Sequence, residues 1–335
     1  MGTLVKIIHT LIAVAVCFIT GCNNNTSSSP YGKILAGEPY VSLTDSIIAD
    51  PGNAGLYFRR AVLLNKNNYP EPALSDFEKA WLLDKQEPFA LGAGTVLMEK
   101  NPDAAITFLQ KAIASLPQSL LLRLSLAKVF DTQNKTDEAL AVYGEILNDD
   151  PFQINALLMK ADLLDKKQNT SEAIRTLEKA YAVAPQLVEL NYNLAFKYAQ
   201  SSNPKVIQLC DSLIKKDSLK ILPEPYYFKG VYYYNTGNKS KALDLFSLAI
   251  QRDFNFLDAY IEKARILYEM KEYNKAFSTV QRAASITPTF ADAYYWMGKC
   301  QEAVGNKDEA RLNYQRAYGL DKSLTEAKEA AYKLK

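Results

Sequence analysis

Few residues in this chain have types and spacings that could do chemistry. The cysteines are Cys17, Cys22, Cys210 and Cys300, and the one histidine is His9. None of the thiols forms a CxxC pair, and their spacing fits no zinc site. Cys210 and Cys300 fall at apolar-phase positions, where a thiol is ordinarily a small buried hydrophobe. The acid pair Asp149-Asp150 sits beside Pro151 at the end of an apolar-periodic stretch, as solvated carboxylates do. There is no GxGxxG after a strand, no GxxxxGK[ST] and no GxSxG. The sequons at Asn134, Asn169 and Asn238 fall in polar turns, whose composition explains them. Cys22 is different: it directly follows an apolar run ending in Ile19-Thr20-Gly21, and His9 lies before it. Neither a catalytic centre, a cofactor nor a metal is therefore expected.

Composition narrows the partners. Apolar residues make up 48% and charged residues 23%, which suits a packed protein. With 39 basic and 37 acidic side chains the net charge is +2. That balance leaves no footprint for nucleic acid and no polybasic membrane surface. Glycine, at 14 residues, is too sparse for a turn-rich β fold.

Lys6, the apolar stretch Leu11–Ile19 and the small residues after it have the order of a secretory signal, and the stretch is too short for a permanent span. Its ending resembles the bacterial lipobox. The resemblance implies removal of residues 1–21 and a diacylglyceryl thioether on Cys22, so that the chain meets a membrane through an N-terminal lipid. An ordinary signal peptide with an incidental cysteine is the alternative. Residues 22–38 are expected to be a flexible tether, because Asn23–Pro30 is rich in Asn and Ser. Asn23 is not the aspartate that retains lipoproteins at the enteric inner membrane, which points to the outer membrane and leaves the leaflet open.

Beyond the tether the organising fact is a period of 34. Ala127, Ala161 and Ala195 stand 34 apart, and Gly230, Ala264 and Gly298 repeat the step after one interval of 35. A second series runs Ala105, Ala139, Ala173 and then Ala242, Ala276, Ala310. Four positions after each comes a bulky residue: Leu109, Tyr143, Leu177, Phe246, Val280 and Tyr314. Pro117, Pro151, Pro185 and Pro288 close units. Such self-similarity marks an array of helical hairpins. A small residue in each helix lets the two cross closely, and Gly237 and Gly305 suit a left-handed turn residue between them.

These small and bulky positions resemble the tetratricopeptide repeat family. The resemblance implies an all-α fold, a right-handed superhelical solenoid of about eight helical hairpins with short capping helices. An N-terminal capping helix is expected in 39–53, the array in 54–324 and a C-terminal capping helix in 325–335. The units are 54–87, 88–119, 120–153, 154–187, 188–222, 223–256, 257–290 and 291–324. The second is two residues short. The fifth has Val206, Cys210 and Leu213 where small-large-small is expected, so its second helix should be offset.

In this family the first helices line a concave groove. Carried over, that places Tyr192, Phe196, Tyr227, Val231, Tyr234, Ile261, Tyr268 and Tyr295 on the binding face, with Arg265 and Lys299 among them. Units one, three and four offer Phe58, Val62, Leu121, Leu124 and Leu158. Tyrosine gives broad apolar contact at low entropic cost, although packing between neighbouring hairpins would explain the same residues. Glu189, Glu224, Asp258 and Asp292 recur at one position, but it is the first turn of a helix, which favours carboxylates regardless of ligand. The remaining groove charge is balanced. Leu124 and Lys128 stand where the family's carboxylate clamp would begin, so chaperone docking is unsupported. The expectation is a lipid-anchored scaffold that holds a protein or peptide partner in the bacterial cell envelope and catalyses nothing. An accessory role in outer-membrane protein, pilus or secretion-complex assembly is the alternative, and an envelope hydrolase is disfavoured.

Overall fold

The computed structural model describes residues 31–334, which contain nineteen α-helices and, among those residues, no strand. The expected signal peptide, the Cys22 lipid site and the start of the tether lie outside the described residues. Among the described residues no helix is long and apolar enough to cross a membrane. The chain forms two compact units, one ending at Ala105 and one beginning at Ile106.

The first unit holds α1 (Gly32–Leu35), α2 (Val41–Ala49), α3 (Ala54–Lys66), α4 (Pro70–Leu83), α5 (Glu87–Lys100) and the start of α6 (Pro102–Ser115). Residues 31–38, expected as the end of the tether, include the turn of helix α1 instead. That turn is tied down because Thr44 Oγ1 donates to the Leu35 carbonyl at 2.8 Å and accepts from Arg60 Nη1 at 3.0 Å. Arg60 in turn grips both oxygens of Asp76, at 2.7 and 2.8 Å. Both charged side chains are buried, a costly arrangement that survives only when their hydrogen bonds are met.

The second unit continues α6 and holds α7 (Leu120–Thr132), α8 (Thr136–Asp149), α9 (Ile154–Lys166), α10 (Thr170–Val183), α11 (Val188–Gln200) and α12 (Lys205–Lys216). It ends with α13 (Glu224–Asn235), α14 (Lys239–Arg252), α15 (Leu257–Glu269), α16 (Tyr273–Ile286), α17 (Ala291–Ala303), α18 (Lys307–Leu320) and α19 (Thr325–Lys333). Odd and even helices from α7 to α18 pair as hairpins, and α19 packs on α18.

The periodic residues are what the hairpins bury. Ala127, Ala161, Ala195 and Ala264 are buried, as are Ala139, Ala173, Ala242, Ala276 and Ala310 of the second helices. The bulky series Tyr143, Leu177, Phe246, Val280 and Tyr314 is buried too. Where the small residue is glycine, the reason is direct. A Cβ at Gly230 would lie 2.6 Å from the Phe246 ring, and one at Gly298 would lie 2.7 Å from the Tyr314 ring. Those distances are well inside van der Waals contact, so the crossings admit only hydrogen there.

Most hairpin turns are three residues long, and the middle one is left-handed: Asn68, Asn134, Gln168, Gly237, Lys271 and Gly305. Glycine meets that conformation without strain at Gly237 and Gly305, while the other turns place a side chain in a region that L-residues disfavour. Two sequon asparagines cap second helices. Asn169 Oδ1 accepts from Glu172 N at 3.4 Å and Asn238 Oδ1 from Lys241 N at 3.1 Å.

The α11–α12 hairpin breaks the rhythm as its sequence foretold. Its turn has four residues, 201–204, and Val206, Cys210 and Leu213 form the buried face of α12, one position out of the usual phase. The exit from α12 is longer as well. Residues 217–223 link α12 to α13, seven in all, whereas 150–153, 184–187, 253–256, 287–290 and 321–324 are exits of four.

Candidate functional site

Three first helices of the second unit carry a stripe at i, i+4 and i+7, the spacing that aligns side chains on one helix face. On α13 it is Tyr227, Val231 and Tyr234; on α15, Ile261, Arg265 and Tyr268; on α17, Tyr295, Lys299 and Glu302. Tyr192 and Phe196 start the same stripe on α11. All eight residues expected to form the binding face (Tyr192, Phe196, Tyr227, Tyr234, Arg265, Tyr268, Tyr295 and Lys299) are half-buried. They separate into two layers with different surroundings.

The inner layer is aromatic packing. Tyr192 and Phe196 meet Phe228 with centroids 6.1 and 5.9 Å apart. Tyr227 lies 5.6 Å from Phe246 and 5.3 Å from Phe256, and Tyr295 lies 5.8 Å from Tyr314. These rings extend the helix-crossing core toward the surface, and burial pushes the Tyr227 hydroxyl well above its ordinary range.

The outer layer pairs each tyrosine with a cation of the next hairpin. The Arg265 guanidinium lies 4.5 Å over the Tyr234 ring. One repeat on, Lys299 Nζ lies 5.2 Å over Tyr268, 4.5 Å over Trp296 and 5.7 Å over Tyr295. Each such contact at a partly exposed site is worth about 0.5–1 kcal/mol. Tyr234 also donates its hydroxyl to Glu269, which accepts from Lys239 Nζ at 2.9 Å. The result is a ladder of ring, cation and carboxylate running across α13, α15 and α17. Glu269 belongs to the balanced groove charge read from the sequence, with Glu302, Arg265 and Lys299, whereas Trp296 was absent from the expected face. Trp296 stands three residues before Lys299, a spacing that would have placed it beside the lysine.

Carboxylates under the ladder are partly desolvated. Burial holds the Glu262 carboxyl above its usual range, against the pull of Arg265, with which it pairs. Burial does the same to Asp292, reinforced by Asp321 and Asp258. The Tyr192 hydroxyl, pushed up to about 12 mainly by burial and next by Glu224, faces that carboxylate without completing a hydrogen bond. Such groups gain from a partner's donors, which is what a binding face offers.

The thiols do not join this face as nucleophiles. Burial pushes Cys210 up to about 12 and Cys300 up to about 11, so both are neutral thiols near pH 7. Among the described residues no group of three or more His, Cys, Asp and Glu side chains is arranged to hold a metal ion. An open cavity of about 610 Å³ lies away from the ladder, lined by Tyr318 of α18 and Lys328 and Tyr332 of α19.

Two family models, both described as tetratricopeptide repeat, match the chain. One covers residues 96–163, and the other covers 154–187, 257–290 and 291–324. Among curated relatives, Tetratricopeptide repeat protein 1 of Schizosaccharomyces pombe is 25% identical over 202 residues, covering 55% of this chain and 19% of the relative. Protein O-mannosyl-transferase TMTC1 of Homo sapiens is 29% identical over 153 residues, covering 44% and 17%. The chain thus spans under a fifth of the length of each. A crystal structure of a tetratricopeptide repeat protein from Parabacteroides merdae superposes with a TM-score of 0.56 at 20% identity, covering 73% of this chain and 96% of that one. The likeness to it is one of fold.

Proposed function

Because this chain carries tetratricopeptide repeats, we propose that it is a scaffold that holds a protein partner along the ladder of α13, α15 and α17. It does so while tethered by a lipid on Cys22 to the outer membrane of a bacterial cell envelope. The observation that carries the reading is the outer layer itself: Tyr234 under Arg265 and Tyr268 under Lys299, half-exposed and one repeat apart. Rings held in place by neighbours lose little entropy on binding, and aromatic anchors usually dominate an interface. The lipobox-like Ile19-Thr20-Gly21-Cys22 supports the tether. A lipid anchor raises the local concentration of whatever the scaffold holds, so binding alone has a use and no turnover is required.

Crosslinking the anchored chain in its native envelope identifies the partner. Replacing Tyr234 and Tyr268 together with alanine should then weaken capture by about thirtyfold or more, with the melting point lowered only by the modest amount that two lost ring–cation contacts imply. Full capture with a sharply lower melting point would make the rings inter-repeat packing only. The tether is tested separately. Cys22→Ser should abolish fatty-acid labelling, and labelling that persists would remove the lipid from the reading.

A further inference from the structure

The exit loop 217–223 is the longest connection between hairpins of the second unit, and it is firmly built. Asp217 Oδ2 accepts from the Leu222 amide at 2.9 Å, and the Lys220 amide donates to the Asp217 carbonyl at 3.2 Å. Lys220 is left-handed, with φ of 55°. From the next hairpin, Arg252 donates to the Lys220 carbonyl at 3.3 Å and to the Tyr226 hydroxyl at 3.2 Å, its guanidinium stacked over the Tyr226 ring. This bracing displays apolar side chains instead of hiding them. Leu219 is 75% exposed and Ile221 55%, and Phe254, two residues past Arg252, is 59% exposed. Lys215, Lys216 and Lys220, exposed and close in sequence, are a local cluster of charge that the balanced total of the chain conceals. The nearby acids are Asp217 and Asp253, each accepting from a backbone amide, and the half-buried Glu224.

The bonds that fix the loop and tie it to the next hairpin leave Leu219 and Ile221 in water instead of folding them into the core. We propose that loop 217–223 is a membrane-contact surface, which inserts Leu219 and Ile221 into the interface of an anionic bilayer while Lys215, Lys216 and Lys220 meet lipid phosphates. The chemistry fits: two exposed apolar side chains share one short segment with three exposed lysines, whose chains are long enough to reach the headgroup level when the apolar ones enter the interface. The pairing of exposed apolar side chains with lysines matches the apolar and anionic layers of a bilayer interface. Each lysine close to an anionic leaflet is worth about fivefold in partitioning. The inference stands apart from the lipid on Cys22. If that lipid is present, the loop supplies a second contact that orients the array against the bilayer.

The test is Leu219→Trp in the full chain, mixed with vesicles of phosphatidylcholine and phosphatidylglycerol bearing brominated acyl chains. Trp81 and Trp296 of the parent chain set the baseline. The introduced indole should shift to the blue and be quenched beyond that baseline, much less so on phosphatidylcholine alone or at high salt. Adding Lys215→Glu, Lys216→Glu and Lys220→Glu should raise the lipid concentration needed for half-quenching by at least tenfold. Ile221→Trp is the second probe, and because both positions are exposed the melting point should match the parent. Because the reading is of local depth, binding through the N-terminus cannot mimic it. An indole that stays unquenched, whether or not the chain binds vesicles, overturns the proposal. A photocrosslink from position 219 to an acidic protein without quenching does the same and reassigns the loop to that protein.

Discussion

Hairpins α17–α18 and α11–α12 solve one problem in two ways. In α17–α18 the crossing is so close that Gly298 lies directly beneath the Tyr314 ring, the turn is three residues and the exit four. In α11–α12 the crossing residue is Ala195, the second helix buries a thiol where its counterpart buries a ring, and both connections are longer. The irregular hairpin is held by side chains reaching its neighbours. Lys197 meets Asp165 at 2.6 Å, Tyr198 and Lys205 meet Glu178 at 2.7 and 2.6 Å, and Asn191 donates to the Pro185 carbonyl at 3.0 Å. Each repeat needs only compatible neighbours, so a period can lapse in one hairpin without unfolding the rest. Close crossing enforces the 34-residue step, and where crossing relaxes the chain is free to lengthen.

The largest effect should come from filling the tight crossing. Gly298→Leu puts a side chain where even a Cβ lies 2.7 Å from a ring, and overpacking of this kind costs about 3 kcal/mol. Hydrogen exchange should report loss of protection in α17 and α18 while α11 and α12 keep theirs. Uniform loss would mean the two hairpins belong to one cooperative core, and the contrast between them would fail.

A middle effect separates the two buried thiols by pH. Both are raised above the ordinary value of 9, Cys210 to about 12 and Cys300 to about 11. The unfolded chain therefore releases these protons first. The stability linked to them is complete below pH 9 and is lost as pH rises through the folded values. Urea midpoints measured from pH 8 upward should fall, less steeply in Cys210→Ala and in Cys300→Ala than in the parent. Buried tyrosines such as Tyr143, raised to about 12, add to the same slope in all three proteins, so the difference between variants is the quantity to read.

The smallest effect concerns what the hairpins share. Ser202 in the irregular turn and Lys271 in a regular one both carry positive φ, 53° and 63°. Replacing either with glycine should raise stability by up to about 1 kcal/mol, read as a small rise in melting temperature. A gain at Lys271 and a loss at Ser202 would show that the longer turn depends on its serine side chain, sharpening the difference between the regions.

The hairpins were legible in the sequence because close crossing leaves a periodic mark: the alanine and glycine series and the bulky residue four positions after the second of them are all buried. The offset of α12 was legible for the same reason, from Val206, Cys210 and Leu213. The site was less so. Spacing put Tyr234 and Tyr268 on one face, but it could not reveal that Arg265 and Lys299 lie over their rings, since cation stacking depends on the rise from one hairpin to the next. Helix α1 was hidden because nothing in Gly32–Leu35 is periodic; what ties it down is the Thr44 bond to the Leu35 carbonyl, with Thr44 itself held by Arg60.

The glycine crossings also constrain how such a sequence can drift over generations. At Gly230 an alanine would collide with Phe246, so a lineage that acquires the alanine first passes through a strained intermediate. If the ring shrinks first, to leucine or valine, the step loses packing without any collision, and the alanine can follow. Ala161 with Leu177 and Ala264 with Val280 are pairs of the kind that route ends in, buried and free of glycine. Ala127 with Tyr143 keeps both an alanine and a ring buried, so a crossing can also be spaced to hold the two; at Gly230 and Gly298 as they stand, the ring or the helix spacing has to yield before the small residue can grow.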